Sequence, residues 1–571
     1  METESKMQAF ELDYPRLTMF EMVNRMAEAH PQAPAYEFFG KKTTFRSFVD
    51  KIEQAARAFT SAGLGKGDVI TICMPNTPQG LVCFYAVNRI GAVANMVHPL
   101  SAEEEITFYL NISESSLILT MDMFYEKAAA ARDRADHPVT ILTARMQEEL
   151  PVHMGLAYTL KTGRKYLHCP DRKKAGQAAG LKDMTWKAFL KKGAASITLP
   201  EPSFEDGRTA VILYSGGTSG TPKGICLTDL NINACAMQAR EAIGVELGYG
   251  QTMLSCMPMF HGFGLGINLH TILIHGACCI LMPTFTSKSY AQMLKKKRPN
   301  FIAGVPTIFE ALLHLPQLDG VDLSFLKGMY SGGDSLPVEL KKRIDAFLKE
   351  HGADIQVREG YGLTECVTAS CLTPLHEYRE GSIGIPFKDT FYAIVRPGTD
   401  ELLAPGAEGE IILRGPTVMT GYLKNEKETA QTLRKLSDGH IWLYTGDLGR
   451  MDKDGFVYFI QRAKRMIITN GYNVYPGQIE NALDSIPEVV ESCVIGVPDP
   501  RRMQRVQAYV VLKKGVEPSQ ECKDRILAYL EKKVARYALP KEIIFKDALP
   551  RTLVGKTDYR KLMQEAEKEA A

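Results

Sequence analysis

AVILYSGGTSGTPKG, residues 210–224, sets a short apolar run against a cluster of glycines and hydroxyls that ends in a lysine, with a helical stretch from about Asp229. Small residues let the backbone approach a ligand closely. The hydroxyls and successive N–H groups of Ser215, Gly216, Gly217, Thr218, Ser219, Gly220 and Thr221 can cradle phosphate oxygens, and Lys223 adds a cation. The stretch reads as a phosphate loop, but not as a Walker A. The only GK[ST], Gly555-Lys556-Thr557, has Pro550 where the first glycine is required, and GFGLGI from Gly262 puts Ile267 at the last glycine of GxGxxG.

Outward from this loop, strands and helices alternate. Phe48, Ile52, Ala56 and Phe59 make a helical stripe after Thr44, with Gly63 placed to end it. VITICMP from Val69 reads as a strand, a helix follows over about 79–89, and GAVANMVHP is extended. Ser101 with Glu104 three residues on predicts a capping box, and SSLILTM predicts another strand. The pattern is that of βαβ units, a parallel sheet faced by helices. After Arg462 the composition changes: residues 463–571 carry a net charge of +4, with a helix from about Pro476, strands at CVIGVP and QAYVVL, a helix from Cys522 to about Arg536, and an extended EIIFKDALP. The expected fold class is therefore α/β, with a large N-terminal domain of α/β layers and parallel sheets, residues 1–462, and a small α+β C-terminal domain, residues 463–571.

Composition narrows the function. Hydrophobic residues at 45% and charged residues at 23% exclude disorder and fibrous folds. Lys+Arg 68 against Asp+Glu 66 leaves a net charge of +2, so no global field recruits nucleic acid. The 12 cysteines include no C-x-x-C, which argues against structural zinc and suits a reducing, cytoplasmic compartment. The apolar run of residues 266–283 is broken by Asn268, His270 and His275, and is expected in the core rather than in a membrane. Residues 161–193 hold ten Lys/Arg and two Asp, a solvated surface excursion whose alternative reading is a peripheral contact with anionic lipid. The KKKR ending at Arg298 reads as cations closing a helix.

Together with SGGDSLP (residues 331–337), GYGLTE (360–365), YTGDLG (444–449), RAKRMIITNGYNVYPGQIE (462–480) and PRTLVGK (550–556), the phosphate loop resembles the adenylate-forming superfamily: acyl- and aryl-CoA synthetases, peptide-synthetase adenylation domains and beetle luciferases. The resemblance covers nearly the whole chain in the family's order. It implies that the Gly332-Gly333-Asp334 segment and the Gly360-Tyr361-Gly362 turn form an adenine slot. It also implies that Thr364 and Glu365 meet the α-phosphate and Mg²⁺, and that Asp447 takes the ribose hydroxyls beside Arg462. Lys556 would insert between substrate carboxylate and α-phosphate. Lys464 matches the hinge joining the two domains, about which the small domain swings Lys556 out and the Gly471-Tyr472 loop in on the CoA side.

PMFHGFGLG, residues 258–266, resembles the wall of an acyl tunnel, with His261 as gate or carboxylate neighbour and Gly262, Gly264 and Gly266 expected to leave space for a long chain. Phe260-His261-Gly262 offers no Asp to pair a substrate ammonium, which disfavours an amino acid. Two positions depart from the family pattern: Asp334 stands where a small apolar residue is common in fatty acyl ligases, and Gln461 where Gly or Asp is usual. The reading is an ATP-dependent acyl-CoA ligase that makes an acyl-AMP and then a thioester, with a medium- to long-chain fatty acid, ATP and CoA as substrates and Mg²⁺ as cofactor. Alternatives are transfer to a separate carrier protein, an aryl or bile acid as substrate, a light-emitting monooxygenase and a catalytically dead nucleotide-binding module. A homodimer is left open.

Overall fold

The computed structural model describes residues 10–166, 181–215, 222–462, 465, 467–469, 472–474, 476–499, 503–531, 533–534, 536–552 and 556–570. Thr209–Ser215 lies inside an eight-stranded sheet, between Lys223–Thr228 and Val93–Met96. Val69–Cys73, Leu117–Met121, Thr140–Ala144 and Met184–Thr185 continue it to one edge, and Gly421–Tyr422 closes the other. From Thr209–Ser215 to Met184–Thr185 all pairings are parallel, and the central strands are buried nearly throughout, as apolar runs covered on both faces must be. The helix Phe45–Ser61 packs on this body through Phe45, Phe48, Ile52, Ala56 and Phe59, capped by Thr44, with Gly63 at φ +78° after its end.

A second, nine-stranded sheet runs Ile385–Pro386, Cys371–Leu372, Val357–Tyr361, Gly328–Ser331, Phe301–Gly304, Thr252–Ser255, Cys278–Leu281, Pro34–Phe38, Lys41–Thr44. A third, antiparallel sheet contains Ile441–Met451 and Val457–Arg462. Past residue 465 the chain forms its own five-stranded sheet with the helices Pro476–Asp484, Gln520–Leu530 and Tyr559–Ala570, around separate cores that include Ile479, Val494 and Leu530 on one side and Cys493, Tyr509 and Leu562 on the other. The chain is thus a large α/β domain with mixed, largely parallel sheets followed by a small α+β domain.

Several local expectations change. The box at Ser101 and Glu104 does not form: the helix is Glu103–Ser113, its N-cap is Ala102, and Glu105 reaches back to accept the Ala102 N–H at 2.8 Å. The helix expected to run to about Arg536 ends at Leu530. Between the phosphate loop and the helix Asp229–Ile243 stands the strand Lys223–Thr228, paired antiparallel with Thr209–Ser215 so that Ser215 faces Lys223. Among the described residues a strand opened by Lys223, not a helix, follows this segment. The apolar run after Gly262 lies in the core as a π-helix, Phe263–His270, then Thr271–Ile274 and the strand Cys278–Leu281. Much of the basic excursion, residues 167–180, lies outside the described residues. Among the described residues no helix is long and apolar enough to cross a membrane.

Candidate active site

One cavity of about 2230 Å³ gathers most of the residues singled out above. It is lined by Ser215, Lys223, His261, Gly332, Gly333, Asp334, Gly360, Tyr361, Gly362, Thr364, Glu365, Asp447, Arg462 and Lys556, which come from all three large-domain sheets and from the small domain. Residues 216–221, Lys464 and Gly471 lie outside the described residues, as does the side chain of Tyr472.

Asp447 and Arg462 are direct partners across the antiparallel pair Ile441–Met451 and Val457–Arg462. Asp447 is 2% exposed, and its Oδ2 accepts the Tyr361 hydroxyl at 2.6 Å. Its Oδ1 is ion-paired with Arg462 Nε at 3.3 Å but takes no hydrogen bond, leaving a buried carboxylate oxygen able to accept one. Burial raises the Asp447 pKa, and the Arg462 charge, the Tyr361 hydroxyl and Lys556 oppose the rise. The Tyr361 ring lies 5.9 Å from that of Phe459, tilted 35°. Gly332 and Gly360 approach closely: a Cβ on Gly332 would sit 3.4 Å from the Gly360 carbonyl oxygen. Gly362 is the more demanding position, since a Cβ there would fall 1.7 Å from the Thr368 carbonyl oxygen. A flat slot edged by backbone, an aromatic ring and a carboxylate can hold a purine nucleoside.

Thr364 and Glu365 form a tight turn with Cys366, followed by Val367 at φ +69°, a conformation rare for a β-branched residue. Glu365 Oε1 accepts the Tyr422 hydroxyl at 2.9 Å, and the Glu365 carbonyl accepts the Met419 N–H at 2.8 Å. The Tyr422 ring also lies 4.9 Å from the Lys223 ammonium, which is ion-paired with Glu428. One tyrosine thus touches both the acidic and the basic phosphate-site candidates.

Lys556 extends from the small domain to the large one, its Cε 3.8 Å from where Gly333 would carry a Cβ. Its pKa is lowered by burial, with the Arg462 charge adding to the fall and the Asp334 and Asp447 carboxylates opposing it. His261 is pulled down to about 4 by burial, with the Lys556 charge adding to it, so the imidazole is neutral near pH 7. Its Nδ1 accepts the Phe263 N–H at 3.2 Å. A neutral His261 can hydrogen-bond a carboxylate but cannot pair its charge, and Lys556, a cation lining the same cavity, acts on it electrostatically.

The glycines of the apolar wall behave differently from expectation. Gly262, Gly264 and Gly266 do not line the cavity. A Cβ would lie 1.8 Å from the Val367 carbonyl oxygen at Gly262 and 2.0 Å from that of Pro258 at Gly264, while at Gly266 it would meet Val367 Cγ1 at 3.1 Å. They are glycines because neighbouring chain occupies the side-chain position, and the space belongs to the cavity beside His261, Phe263 and Ile267. Its apolar arm is lined by Ala239, Ile243, Leu247, Met253, Ile267 and Ile272. Ala239, Ile243 and Leu247 carried no motif. Nor did Glu359, whose Oε1 accepts the Leu336 N–H at 2.9 Å beside the slot and whose carboxyl is pushed up by burial to about 8. Its position just before Gly360 was the available clue.

The AMP-binding enzyme family matches residues 23–423, and its C-terminal domain, the AMP-binding enzyme C-terminal domain, matches residues 478–556. A long-chain-fatty-acid–CoA ligase of Bacillus subtilis (strain 168) is 36% identical over 97% of this chain and 96% of its own length. One from Escherichia coli O157:H7 is 31% identical over 96% and 94%. Among solved structures, the ATP-bound RpMatB-BxBclM chimera B1 superposes with a TM-score of 0.81 at 25% identity, covering 96% of this chain and 99% of that one. The anthranilate CoA ligase AuaEII, in complex with anthranoyl-AMP, gives 0.81 at 23% identity over 97% and 98%, a likeness of fold. With both of its domains matched, and with full-length ligases as relatives, the chain belongs to the AMP-binding enzyme family and groups within it with the AMP-forming acid–CoA ligases.

Proposed function

We propose that the enzyme activates a medium- to long-chain fatty acid with ATP, releasing pyrophosphate, and transfers the acyl group from acyl-AMP to CoA. The observation that carries the substrate class is the continuity of a single cavity from Lys556 and His261 to the apolar side chains Ala239, Ile243, Leu247, Met253, Ile267 and Ile272. The names of the bacterial relatives point the same way.

In this reading adenine lies in the slot of Gly332, Gly333, Asp334, Gly360, Tyr361 and Gly362, and the ribose hydroxyls bond Asp447 Oδ1, which takes no hydrogen bond of its own, with Arg462 alongside. Lys223 and the loop 215–221 bind the β- and γ-phosphates. Thr364 bonds an α-phosphate oxygen, and Lys556 stabilises charge gathering between the attacking carboxylate and the α-phosphate, an effect worth several kcal/mol where water is excluded. Glu365 fits a Mg²⁺ carried on the nucleotide, because magnesium takes few carboxylates and completes its shell with phosphate oxygens and water. Among the described residues no group of three or more His, Cys, Asp or Glu side chains could hold a metal alone. When bound, Mg²⁺ supplies neutralisation of phosphate charge. Residues 463–571 act as a mobile unit: rotation at Lys464 withdraws Lys556 and brings the Gly471-Tyr472 loop to the acyl-AMP for CoA attack.

Pyrophosphate release should be measured across acids from acetate to oleate, with benzoate and a bile acid, each with and without CoA. Each methylene buried in the apolar arm contributes about 0.8 kcal/mol, so kcat/KM should rise about fourfold per added carbon until the arm is filled. Lys556→Ala should abolish acyl-AMP formation and spare thioester formation from supplied acyl-AMP. A flat chain-length profile, or a peak at benzoate, would overturn the substrate class; pyrophosphate release indifferent to CoA would move the acceptor to a carrier protein. Equal loss of both half-reactions would overturn the role of Lys556.

A further inference from the structure

We propose that Glu428 competes with the nucleotide's phosphates for Lys223, and so sets the affinity of the site for ATP and pyrophosphate. This rests on the reading of Lys223 as a phosphate-binding cation.

Three pieces of local structure bring the pair together. Lys223 opens the strand Lys223–Thr228, against which Gly421–Tyr422 is laid antiparallel with Tyr422 opposite Ile225. Asn425 then caps the helix Glu426–Thr432, its side chain accepting the Glu428 N–H at 3.1 Å and fixing Glu428 one turn from the strand. The Glu428 carboxylate contacts the Lys223 ammonium at ion-pair distance, and both residues line the cavity. The side chains are 16% exposed at Lys223 and 32% at Glu428, so the pair is more sheltered than an ordinary surface pair, whose contribution solvent largely cancels.

A lysine ammonium is a compact charge with three donors and can be shared, but each donor given to Glu428 is denied to a phosphate oxygen. The Tyr422 ring, 4.9 Å from the ammonium, supports it without neutralising it, and the hydroxyl of the same ring is occupied with Glu365. Glu428 is therefore the group whose charge opposes that of an incoming phosphate at Lys223. By linkage, whatever the carboxylate gains from Lys223 is subtracted from the affinity of a phosphate that must displace it, and the subtraction is the same for ATP and for pyrophosphate. Product release benefits as substrate binding suffers: Glu428 waits beside Lys223 to take the ammonium back when pyrophosphate leaves. A pair that served only to hold the helix Glu426–Thr432 in place would leave nucleotide affinity untouched.

The test uses the full-length enzyme with MgATP and with pyrophosphate as probes, in wild type, Glu428→Gln, Lys223→Ala and the double variant. Glu428→Gln should tighten ATP dissociation and pyrophosphate inhibition constants together, by about fivefold or more. It should leave the KM for the carboxylic acid unchanged, and its effect should vanish in the Lys223→Ala background. Unchanged or weaker ATP binding in Glu428→Gln would overturn the proposal, as would tightening that persists without Lys223. Lys223→Ala with wild-type ATP affinity would instead overturn the reading of Lys223 itself, which separates the two failures.

Discussion

Tyr361→Phe removes a single oxygen, the donor 2.6 Å from Asp447 Oδ2, and keeps the ring that edges the adenine slot. A hydrogen bond to a charged group contributes about 1.5–3 kcal/mol. The loss should therefore raise the Asp447 pKa further above the usual carboxylate range, where burial already holds it. In the proposed reading ribose binding needs Asp447 ionised, so the acid limb of MgATP affinity should move to higher pH. Stability should respond with a definite sign. A carboxyl whose folded pKa lies above its unfolded value of 3.8 binds more protons in the native state between the two, and stability falls as pH rises through that window. Raising the folded value extends the window, so the variant should be about 2 kcal/mol less stable than wild type at pH 7 and closer to it near pH 4. Isothermal titration with MgATP from pH 5 to 8, paired with urea unfolding at pH 4 and 7, tests both. An unmoved acid limb would refute the assignment of Asp447 as the ionised ribose acceptor oriented by Tyr361.

Two further outcomes follow from packing and charge. Glu359→Gln removes a carboxyl pushed by burial from 4.5 to about 8. Wild type loses stability as pH rises through that window and the variant does not, so their difference should grow in the variant's favour from pH 5 to pH 9, by at most about 4 kcal/mol after allowing for solvent in the cavity; a difference independent of pH would contradict the buried, protonated state. Gly264→Ala places a methyl 2.0 Å from the Pro258 carbonyl oxygen and 2.4 Å from that of Met257, backbone that cannot rotate away, and should cost about 3 kcal/mol or more, whereas Gly266→Ala meets a valine methyl at 3.1 Å and should cost clearly less. Equal shifts in the urea midpoint for the two would show that the π-helix wall is looser than its contacts indicate.

Much of the candidate nucleotide site is legible in the sequence, for a physical reason. Binding phosphate, ribose and adenine by backbone approach demands glycines, hydroxyls and single charges at fixed local spacing, and local spacing is what a sequence displays. YSGGTSGTPKG, GYGLTE and YTGDLG are of this kind. The acyl wall is misleading in sequence for the complementary reason. Gly262, Gly264 and Gly266 record that something is close, but only the fold reveals that the neighbours are the Val367 carbonyl, the Pro258 carbonyl and a Val367 methyl, respectively, rather than an open channel. The cap at Ala102 and the end of a helix at Leu530 differ from expectation because several residues satisfy a local rule equally and packing selects among them.

From its sequence alone this chain declared an α/β body, a small basic α+β appendage and the chemistry of adenylate formation, because periodicity and short motifs are properties of neighbouring residues. Tertiary structure decided the rest. It set Asp447 opposite Arg462 with one oxygen taking no hydrogen bond, carried Lys556 from the small domain to Gly333, joined Lys223 to Glu428 across some two hundred positions, and drew Ala239, Ile243 and Leu247 into the apolar arm of the cavity. Those contacts depend on how sheets stack and strands pair over long separations, and no local pattern encodes the distance between two side chains that only the closed fold brings together.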